Sequence, residues 1–153
     1  EMGMMATLLN ASSYRESDQP FPAHREIYKQ ESDKQLDQEI GRLTKQFGIF
    51  FLFKKDCPYC HQFAPIVRKF LNTYPFEFKA ISKDGQTLPE FPDAVPDNGT
   101  IPKINPEGIY PTLFLVNPQT NEIIPLSRGL VNFDELKENL RTIVQFLKRG
   151  SGR

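Results

Sequence analysis

The sequence is poor in several residue types, and each shortage excludes a class of protein. Only two cysteines occur among 153 residues, three positions apart, which excludes a scaffold held together by several disulfides. Two cysteines so close in sequence cannot cross-link distant segments, so their pairing is more useful as chemistry than as a structural brace. The chain also has no tryptophan and only two histidines, so few nitrogen ligands for a metal are available.

The chain also lacks an excess of charge and a long apolar run. Nineteen basic residues balance nineteen acidic ones, which argues against broad electrostatic attraction to nucleic acid or to an anionic membrane. No apolar stretch approaches the roughly 20 residues that a membrane-spanning helix needs. We therefore expect one compact domain that binds no nucleic acid and has no transmembrane segment in this chain.

The two ends of the chain show no targeting segment. The sequence begins at Glu1 and has no basic and apolar leader, so we expect any export signal to lie outside this chain. Residues 1–24 mix polar and apolar side chains and are interpreted as a flexible or extended lead-in. Residues 148–153 are interpreted as a tail or a cloning remnant.

Apolar periodicity predicts an α/β domain over residues 25–147. The alternation of strand and helix in its first half favours parallel strand pairing, and a short turn after the third strand favours an antiparallel hairpin. Pro125 places the fourth strand at a sheet edge, and Asn132 with Glu135 suits the start of the last helix. The predicted helices are 25–46, 58–74 and 132–147, and the predicted strands are 48–53, 76–81, 112–116 and 122–126.

Residues 84–109 form a long insert that is rich in proline, glycine, aspartate and asparagine. We expect a loop with a short helix in this segment. Irregular segments of this length are often functional. Two interpretations remain open: the insert is a surface for a substrate or partner, or it is a passive loop.

The motif Cys57-Pro58-Tyr59-Cys60 lies where the first predicted strand gives way to a helix. A thiol just before a helix lies close to unpaired backbone N–H groups and to the positive end of the helix dipole, and both favour the thiolate. Pro58 suits the first helical turn and is expected to tune the sulfurs. We predict that Cys57 is the attacking nucleophile and that Cys60, one turn further along, is the resolving thiol.

Neighbouring side chains are predicted to tune the same two sulfurs. Lys54, Lys55 and a protonated His61 carry positive charge that would lower the pKa of Cys57 further. His61 is alternatively a solvent-facing residue. Tyr59 is interpreted either as a contact for substrate or modulator of the sulfurs, or as an exposed aromatic residue at a helix start.

A zinc site is the alternative use of a C-x-x-C pair. Structural zinc takes four ligands, and outside the pair only His24 and His61 are strong nitrogen donors. His61 directly follows Cys60 and is poorly placed to join it on one metal. We therefore predict no metal and no cofactor other than a redox-active Cys57–Cys60 disulfide.

The segment around the two cysteines resembles the thioredoxin superfamily. C-x-x-C is followed by a helix whose proline, Pro65, comes five residues after the second cysteine, and residues 97–103 and 108–115 are similar to the segment that leads into the superfamily's cis-proline strand. The resemblance implies a thioredoxin fold. Its central mixed sheet has four to five strands flanked by helices, here with an N-terminal helical extension.

The same resemblance implies a substrate-binding role for Tyr110 and Pro111. It implies a cis peptide bond between them beside the disulfide, a geometry that is plausible only before proline. The backbone of Tyr110 would then be free to pair with an extended substrate segment, as an added strand. An ordinary trans proline that starts a strand is the alternative interpretation of Pro111.

Within the superfamily, the chain is similar to the TraF/TrbB group of conjugative-transfer proteins. The similarity lies in the phenylalanine-rich strand 48–53 and in residues 56–65, 81–85, 88–92 and 97–99. It implies a periplasmic enzyme that forms or corrects disulfides in components of a conjugation (type IV secretion) apparatus. Its partners would be cysteine-containing protein substrates and a redox partner protein.

Two other functions are considered for the chain. Cys-Pro-Tyr-Cys is the usual motif of glutaredoxins, which are glutathione-dependent reductases. The length of this chain, its insert and the absence of a Gly-Gly pair after the cis-proline strand argue against a glutaredoxin. A non-catalytic assembly factor of the same apparatus is the third interpretation.

Two positions depart from the superfamily pattern. Reducing thioredoxins usually have a buried carboxylate six residues before the first cysteine, where this chain has Phe51. A proton relay for Cys60 would then be missing or moved, with Glu77 or a water as candidates. Asp56 replaces the aromatic residue that usually precedes the first cysteine, and its charge opposes a thiolate at Cys57. Both departures argue against a general cytosolic reductant and leave oxidase and isomerase open.

Overall fold

A computed structural model describes residues 22–151 of the chain, with side chains from residue 31 to residue 150. Most of the predicted lead-in therefore lies outside the described residues, and its last three residues are already helical. In chain order, the elements are α1 (Pro22–Leu43), β1 (Gly48–Phe53), α2 (Pro58–Thr73), β2 (Glu77–Ser82), β3 (Val95–Pro96), α3 (Thr100–Ile104), β4 (Thr112–Asn117), β5 (Glu122–Arg128) and α4 (Phe133–Ser151).

The described strands form one mixed sheet in the order β3-β2-β1-β4-β5. Strand β1 pairs in parallel with β2 and antiparallel with β4, and β4 with β5 forms the predicted antiparallel hairpin. These pairings confirm the predicted mixed sheet of four to five strands. Strand β5 lies at an edge, as Pro125 indicated, because proline cannot donate to a neighbouring strand.

One face of the sheet is packed with phenylalanine rings. The ring of Phe51 stacks on that of Phe53, with centroids 5.2 Å apart, and meets the edges of Phe63 in α2 and Phe91 in the insert. All four side chains are fully buried. The phenylalanine-rich strand is therefore part of the core, and burial of large aromatic area is a major source of stability.

The insert 84–109 contributes buried side chains to the core. Leu88 and Phe91 are buried in it, and so is Ile101 of α3. Ile101 packs on the second face of the sheet with Leu52 and with two further residues, Ile81 and Phe114. The short helix predicted in this insert is α3. Strand β3 was not predicted, because two residues are too few to produce a period-two pattern.

The last helix begins as its sequence predicts and ends later. The Glu135 backbone N–H donates to Asn132 Oδ1 over 2.8 Å, which satisfies an otherwise unpaired donor of the first turn. The helix continues to Ser151, so residues 148–151 are helical rather than an irregular tail. Lys148 and Arg149 lie in its last turn, where positive charge complements the helix dipole.

The described residues divide into two units, with the division between Gln38 and Glu39 inside α1. The second unit contains the whole sheet. Across residues 22–151, every helix is too short or too polar to cross a membrane.

Candidate active site at the end of strand β1

Cys57 is the N-cap residue of helix α2, and it is disulfide-bonded to Cys60. The two Cα atoms are 5.2 Å apart. The backbone N–H of Cys60 donates to Cys57 Sγ over 3.2 Å, and Pro58 follows at the start of the helix. The same N–H also lies 3.1 Å from the Cys57 carbonyl oxygen, so it is shared between that oxygen and Sγ. An N–H aimed at this sulfur stabilises its thiolate.

The two sulfurs differ in their access to solvent. The Cys57 residue is 9% exposed, whereas Cys60 is 0% exposed. Cys60 lies on the buried face of α2 together with Phe63, Ala64 and Val67. An approaching thiol or disulfide therefore meets Cys57 first.

The position of the superfamily's buried carboxylate is filled by an apolar ring. Phe51 is fully buried and pairs with Ala80 and Leu113 on the neighbouring strands. Glu77, a candidate for a relocated proton relay, pairs instead with Gly48 at the far end of β1. Five strand residues separate that position from the end of β1, about 16 Å at the usual rise per residue. The suggestion that Glu77 serves Cys60 is therefore wrong.

The basic side chains near the motif have specific partners. His61 Nε2 lies 2.7 Å from the backbone oxygen of Lys55, and because a carbonyl only accepts, Nε2 carries the proton. Lys54 Nζ lies 5.2 Å from the ring centroid of Tyr110, which places its charge over an aromatic face. Tyr59 points outward and is 60% exposed. His61 is also exposed.

The Tyr110–Pro111 peptide bond is cis, as the superfamily resemblance implied. Pro111 is buried and Tyr110 half-buried. The preceding carbonyl, that of Ile109, accepts from Asn105 Nδ2 over 3.0 Å and also from Thr112 Oγ1. Asn105 was missed in the sequence analysis, because no local pattern connects an asparagine at the end of α3 with this loop.

The environment of Tyr110 keeps its phenol neutral. Burial raises the pKa of Tyr110, the negative charge of Asp97 raises it further, and a side-chain hydrogen bond with Asn105 acts in the opposite direction. The net shift is upward. The phenol therefore keeps its proton at neutral pH and can donate a hydrogen bond.

Asp84 is the second residue that the sequence analysis missed. Its Oδ2 accepts the backbone N–H groups of Lys55 over 3.0 Å and of Asp56 over 3.4 Å. Its Oδ1 accepts the Ser82 hydroxyl over 2.9 Å and the Gln86 N–H over 3.2 Å. Burial acts to raise the pKa of Asp84, but these four hydrogen bonds together lower it below its ordinary value of 3.8.

Metal ligands do not cluster in the part of the chain whose side chains are described. Within it, no group of three or more histidine, cysteine, aspartate or glutamate side chains is arranged to hold a metal ion. His24, one of the two nitrogen donors weighed for zinc, lies outside the residues with described side chains.

Comparison with known proteins gives one family and one fold. The family model "TraF: F plasmid transfer operon protein" matches residues 7–141. Protein TraF of Escherichia coli K12 is 28% identical over 114 residues, which cover 74% of this chain and 46% of TraF. Protein TrbB of the same organism is 34% identical over 100 residues, which cover 63% of this chain and 55% of TrbB. The chain thus spans about half the length of these relatives.

Among solved structures, a putative thiol:disulfide interchange protein DsbE from Chlorobium tepidum is similar in fold. It aligns with a TM-score of 0.50 and 18% identity, over 71% of this chain and 84% of that one. With the observed sheet order and the helix that follows the cysteine pair, this match shows a thioredoxin fold.

Proposed function

Because the chain belongs to the TraF family of F plasmid transfer operon proteins, we propose that it is a thiol–disulfide oxidoreductase, an oxidase or isomerase of cysteine-containing proteins. One observation carries this proposal. Cys57 is the N-cap of helix α2, and its sulfur accepts the Cys60 N–H. Cys60 is fully buried, whereas Cys57 is slightly exposed. This arrangement suits a nucleophile paired with a resolving thiol.

In the oxidising direction, a substrate thiolate attacks Cys57 Sγ, and the Cys57–Cys60 bond breaks to leave the Cys60 sulfur as the leaving group. A second substrate thiolate then attacks the substrate sulfur of the mixed disulfide and releases Cys57. The substrate gains one disulfide and gives up two electrons and two protons, which the Cys57–Cys60 pair takes up. The Cys60 N–H stabilises Cys57 as the second leaving group.

In the isomerising direction, the reduced protein begins the reaction. The Cys57 thiolate attacks a non-native substrate disulfide, and the freed substrate thiolate attacks another substrate disulfide until Cys57 is displaced. Cys60 attacks Cys57 when this rearrangement stalls, which releases a reduced substrate and restores the Cys57–Cys60 disulfide. A redox partner protein with a thiol or disulfide of its own would reset the pair, so no other cofactor is required.

The neighbouring residues support these steps in proposed roles. The backbone at Tyr110, before Pro111, would pair with an extended segment of the substrate beside the disulfide. Pro58, Tyr59 and His61 would tune the two sulfurs, Tyr59 from an exposed position where it can contact substrate.

The absence of an acid at Phe51 favours oxidation over reduction. A reductant must deprotonate Cys60 to release each substrate, and the strand position that would hold the proton acceptor is a fully buried phenylalanine. An oxidase begins instead with Cys60 already bonded to Cys57, so its first step needs no acceptor at that position.

Family membership also supports a place of action. The relatives TraF and TrbB and the description of the family as transfer operon proteins support a role in assembly of a conjugative pilus or type IV secretion apparatus. Disulfide exchange on such proteins requires an oxidising compartment, and we propose the periplasm.

The proposed activity is tested by oxidative refolding of a substrate protein whose native disulfides have first been reduced. The unmodified chain should accelerate the recovery of native substrate, and Cys57→Ser should abolish the effect. Mixed with a substrate that already contains a disulfide, Cys60→Ser should accumulate a mixed disulfide: the Cys57 thiolate displaces one substrate sulfur as a thiolate, and no resolving sulfur follows. Dithiothreitol should release this adduct. Undiminished activity of Cys57→Ser would reject the proposal and favour the assembly-factor interpretation.

The reduction potential of the Cys57–Cys60 pair gives the direction of catalysis. A value on the order of −120 mV is typical of a strong oxidant, and one on the order of −270 mV is typical of a reductant. We expect a value on the oxidising side, and a value at the reducing end would contradict the assignment as an oxidase or isomerase.

A further inference from the structure

We propose that Asp84 is a positioning residue for Cys57: its carboxylate holds the loop backbone that presents the nucleophile at the start of α2. This inference rests on the proposed function, since it concerns the reactivity of the same sulfur. Asp84 lies outside the motif, in the loop that follows β2, and it reaches the Cys57 loop from 28 and 29 residues away in sequence.

The Asp84 carboxylate joins two loops that follow adjacent parallel strands. One oxygen accepts from the Cys57 loop at Lys55 and Asp56. The other oxygen accepts from its own loop, through the Ser82 hydroxyl and the Gln86 N–H. The Ser82 side chain is buried, so it anchors the carboxylate to the end of β2. A carboxylate bonded on both oxygens has little freedom to turn, which makes it an effective brace.

The braced segment is the connection between β1 and Cys57. Strand β1 ends at Phe53 and α2 begins at Pro58. The Cys57 carbonyl is held by N–H groups of the first helical turn, whereas residues 54–56 lie between the ladder and the helix. Asp84 receives the N–H of Lys55, and the ring of His61 binds the Lys55 carbonyl over 2.7 Å. Lys55 is therefore held on both sides, two residues before Cys57.

The position of Cys57 decides how strongly its thiolate is stabilised. The N–H···Sγ bond from Cys60 and the dipole of α2 act only over short distances. If the loop loosens, the sulfur spends less time in that position, and the pKa of Cys57 rises.

A pure charge effect of Asp84 would have the opposite sign. The negative charges of Asp84 and of Asp56 oppose a thiolate nearby, whereas the side chains of Lys54, Lys55 and His61 favour it. Removal of the Asp84 charge alone would therefore lower the pKa of Cys57. Positioning and charge can be separated by the sign of the shift.

The experiment measures the pKa of Cys57 from the pH dependence of its alkylation by iodoacetamide in the Cys60→Ser background. Asp84→Ala should raise this pKa and slow alkylation at pH values below the pKa, about tenfold for each unit of pKa. Asp84→Asn should leave the pKa unchanged or lower. The amide oxygen can still accept from Lys55 and Asp56 while the amide nitrogen donates to Ser82, and only the bond from the Gln86 N–H is lost.

Two further variants protect the test against indirect effects. Ser82→Ala removes one anchor of the carboxylate and no charge, so a smaller rise in the Cys57 pKa can come only from geometry. This variant also serves if Asp84→Ala fails to fold. Asp93→Ala removes an exposed carboxylate elsewhere in the insert and should change nothing.

The outcomes separate this inference from the proposed function. A lower Cys57 pKa in Asp84→Ala would show that Asp84 acts by charge, and an unchanged pKa in both Asp84→Ala and Ser82→Ala would leave it a purely structural residue. Either result overturns the inference while the activity of the unmodified chain stands. An ordinary Cys57 pKa of about 8.5 in the parent protein would instead contradict the proposed function, and the inference with it.

Discussion

The two sides of the Cys57–Cys60 disulfide are built from opposite kinds of side chain. We call the exposed side the rim: it consists of the loop 54–56 with Tyr59, His61, Asp84 and Tyr110. We call the buried side the underside: it consists of the rings of Phe51, Phe53, Phe63 and Phe91. The rim is rich in charges and hydrogen bonds, whereas the underside is apolar and fully buried.

This difference separates reactivity from stability. We expect the rim to control how often Cys57 is a thiolate, because N–H groups and charges lie there. Cys60 lies on the buried face of α2 with Phe63, and the underside contributes mainly burial. Mutations in the underside should therefore change the free energy of unfolding, and mutations in the rim should change the redox chemistry.

The largest effect is expected in the underside, for Phe91→Ala. Phe91 is 0% exposed, and its ring packs on Phe51 and Phe78 and under the Arg68 guanidinium. Its truncation should lower the free energy of unfolding by about 3–5 kcal/mol, as usual for a buried phenylalanine. Urea denaturation measures this loss. Phe146→Ala, at a ring that is 65% exposed, is the control, and a loss below about 1 kcal/mol at Phe91 would contradict the assignment of the insert to the core.

Asn132→Ala tests whether stability can change without a change in chemistry. Asn132 caps α4 by accepting the Glu135 N–H and belongs to neither side of the disulfide. Its removal should cost about 1 kcal/mol and leave the reduction potential of the Cys57–Cys60 pair unchanged. Thermal unfolding and a glutathione redox titration measure the two quantities. A shifted potential would show that the reduction potential of the pair depends on the stability of the whole domain.

Thr112→Val changes the loop beside the rim at nearly constant side-chain volume. The Thr112 hydroxyl donates to the Ile109 carbonyl next to Tyr110, and its loss should cost about 0.5–1 kcal/mol. The value of kcat/KM for exchange with a protein substrate should fall, while the Cys57 pKa stays the same. Equal kinetics for both proteins would argue against substrate pairing at Tyr110.

The smallest effect is the pH dependence that Asp84 contributes to stability. Its pKa is lower in the folded protein than the ordinary 3.8, so its stabilising contribution is fully present above that ordinary value and is lost as the pH falls through the lowered pKa. The difference in unfolding free energy between the parent protein and Asp84→Ala should therefore shrink between about pH 6 and about pH 3. Denaturation at the two pH values measures it, and a constant difference would show that the Asp84 hydrogen bonds do not depend on its charge.

Local signals in the sequence were sufficient for the motif and for every described element except β3. Cys57 was placed at a helix start because a strand-like run and Pro58 flank it, and the structure confirms that it is the N-cap. Pro125 indicated an edge strand and Asn132 a helix start, and both are found. In each case the physical cause lies within a few residues of the signal.

Errors arose wherever the partner of a residue was distant in sequence. Glu77 was considered for the Cys60 relay, and only the parallel register with Gly48 shows that it lies at the wrong end of the sheet. Asp84 was overlooked because an Asp-Gly pair after a strand is typical of an ordinary turn, and nothing nearby indicates that its carboxylate also serves the Cys57 loop.

The sequence by itself determined the pair of cysteines, the helix that begins at the first of them, and the alternation of strands and helices around it. These follow from short-range backbone preferences and from the apolar pattern, which each segment carries alone. The tertiary structure decided which cysteine is more accessible, that Phe51 meets Phe91 of the insert, and that Asp84 holds the loop before Cys57. Those relations depend on strand order and register, which bring together residues that no local pattern connects.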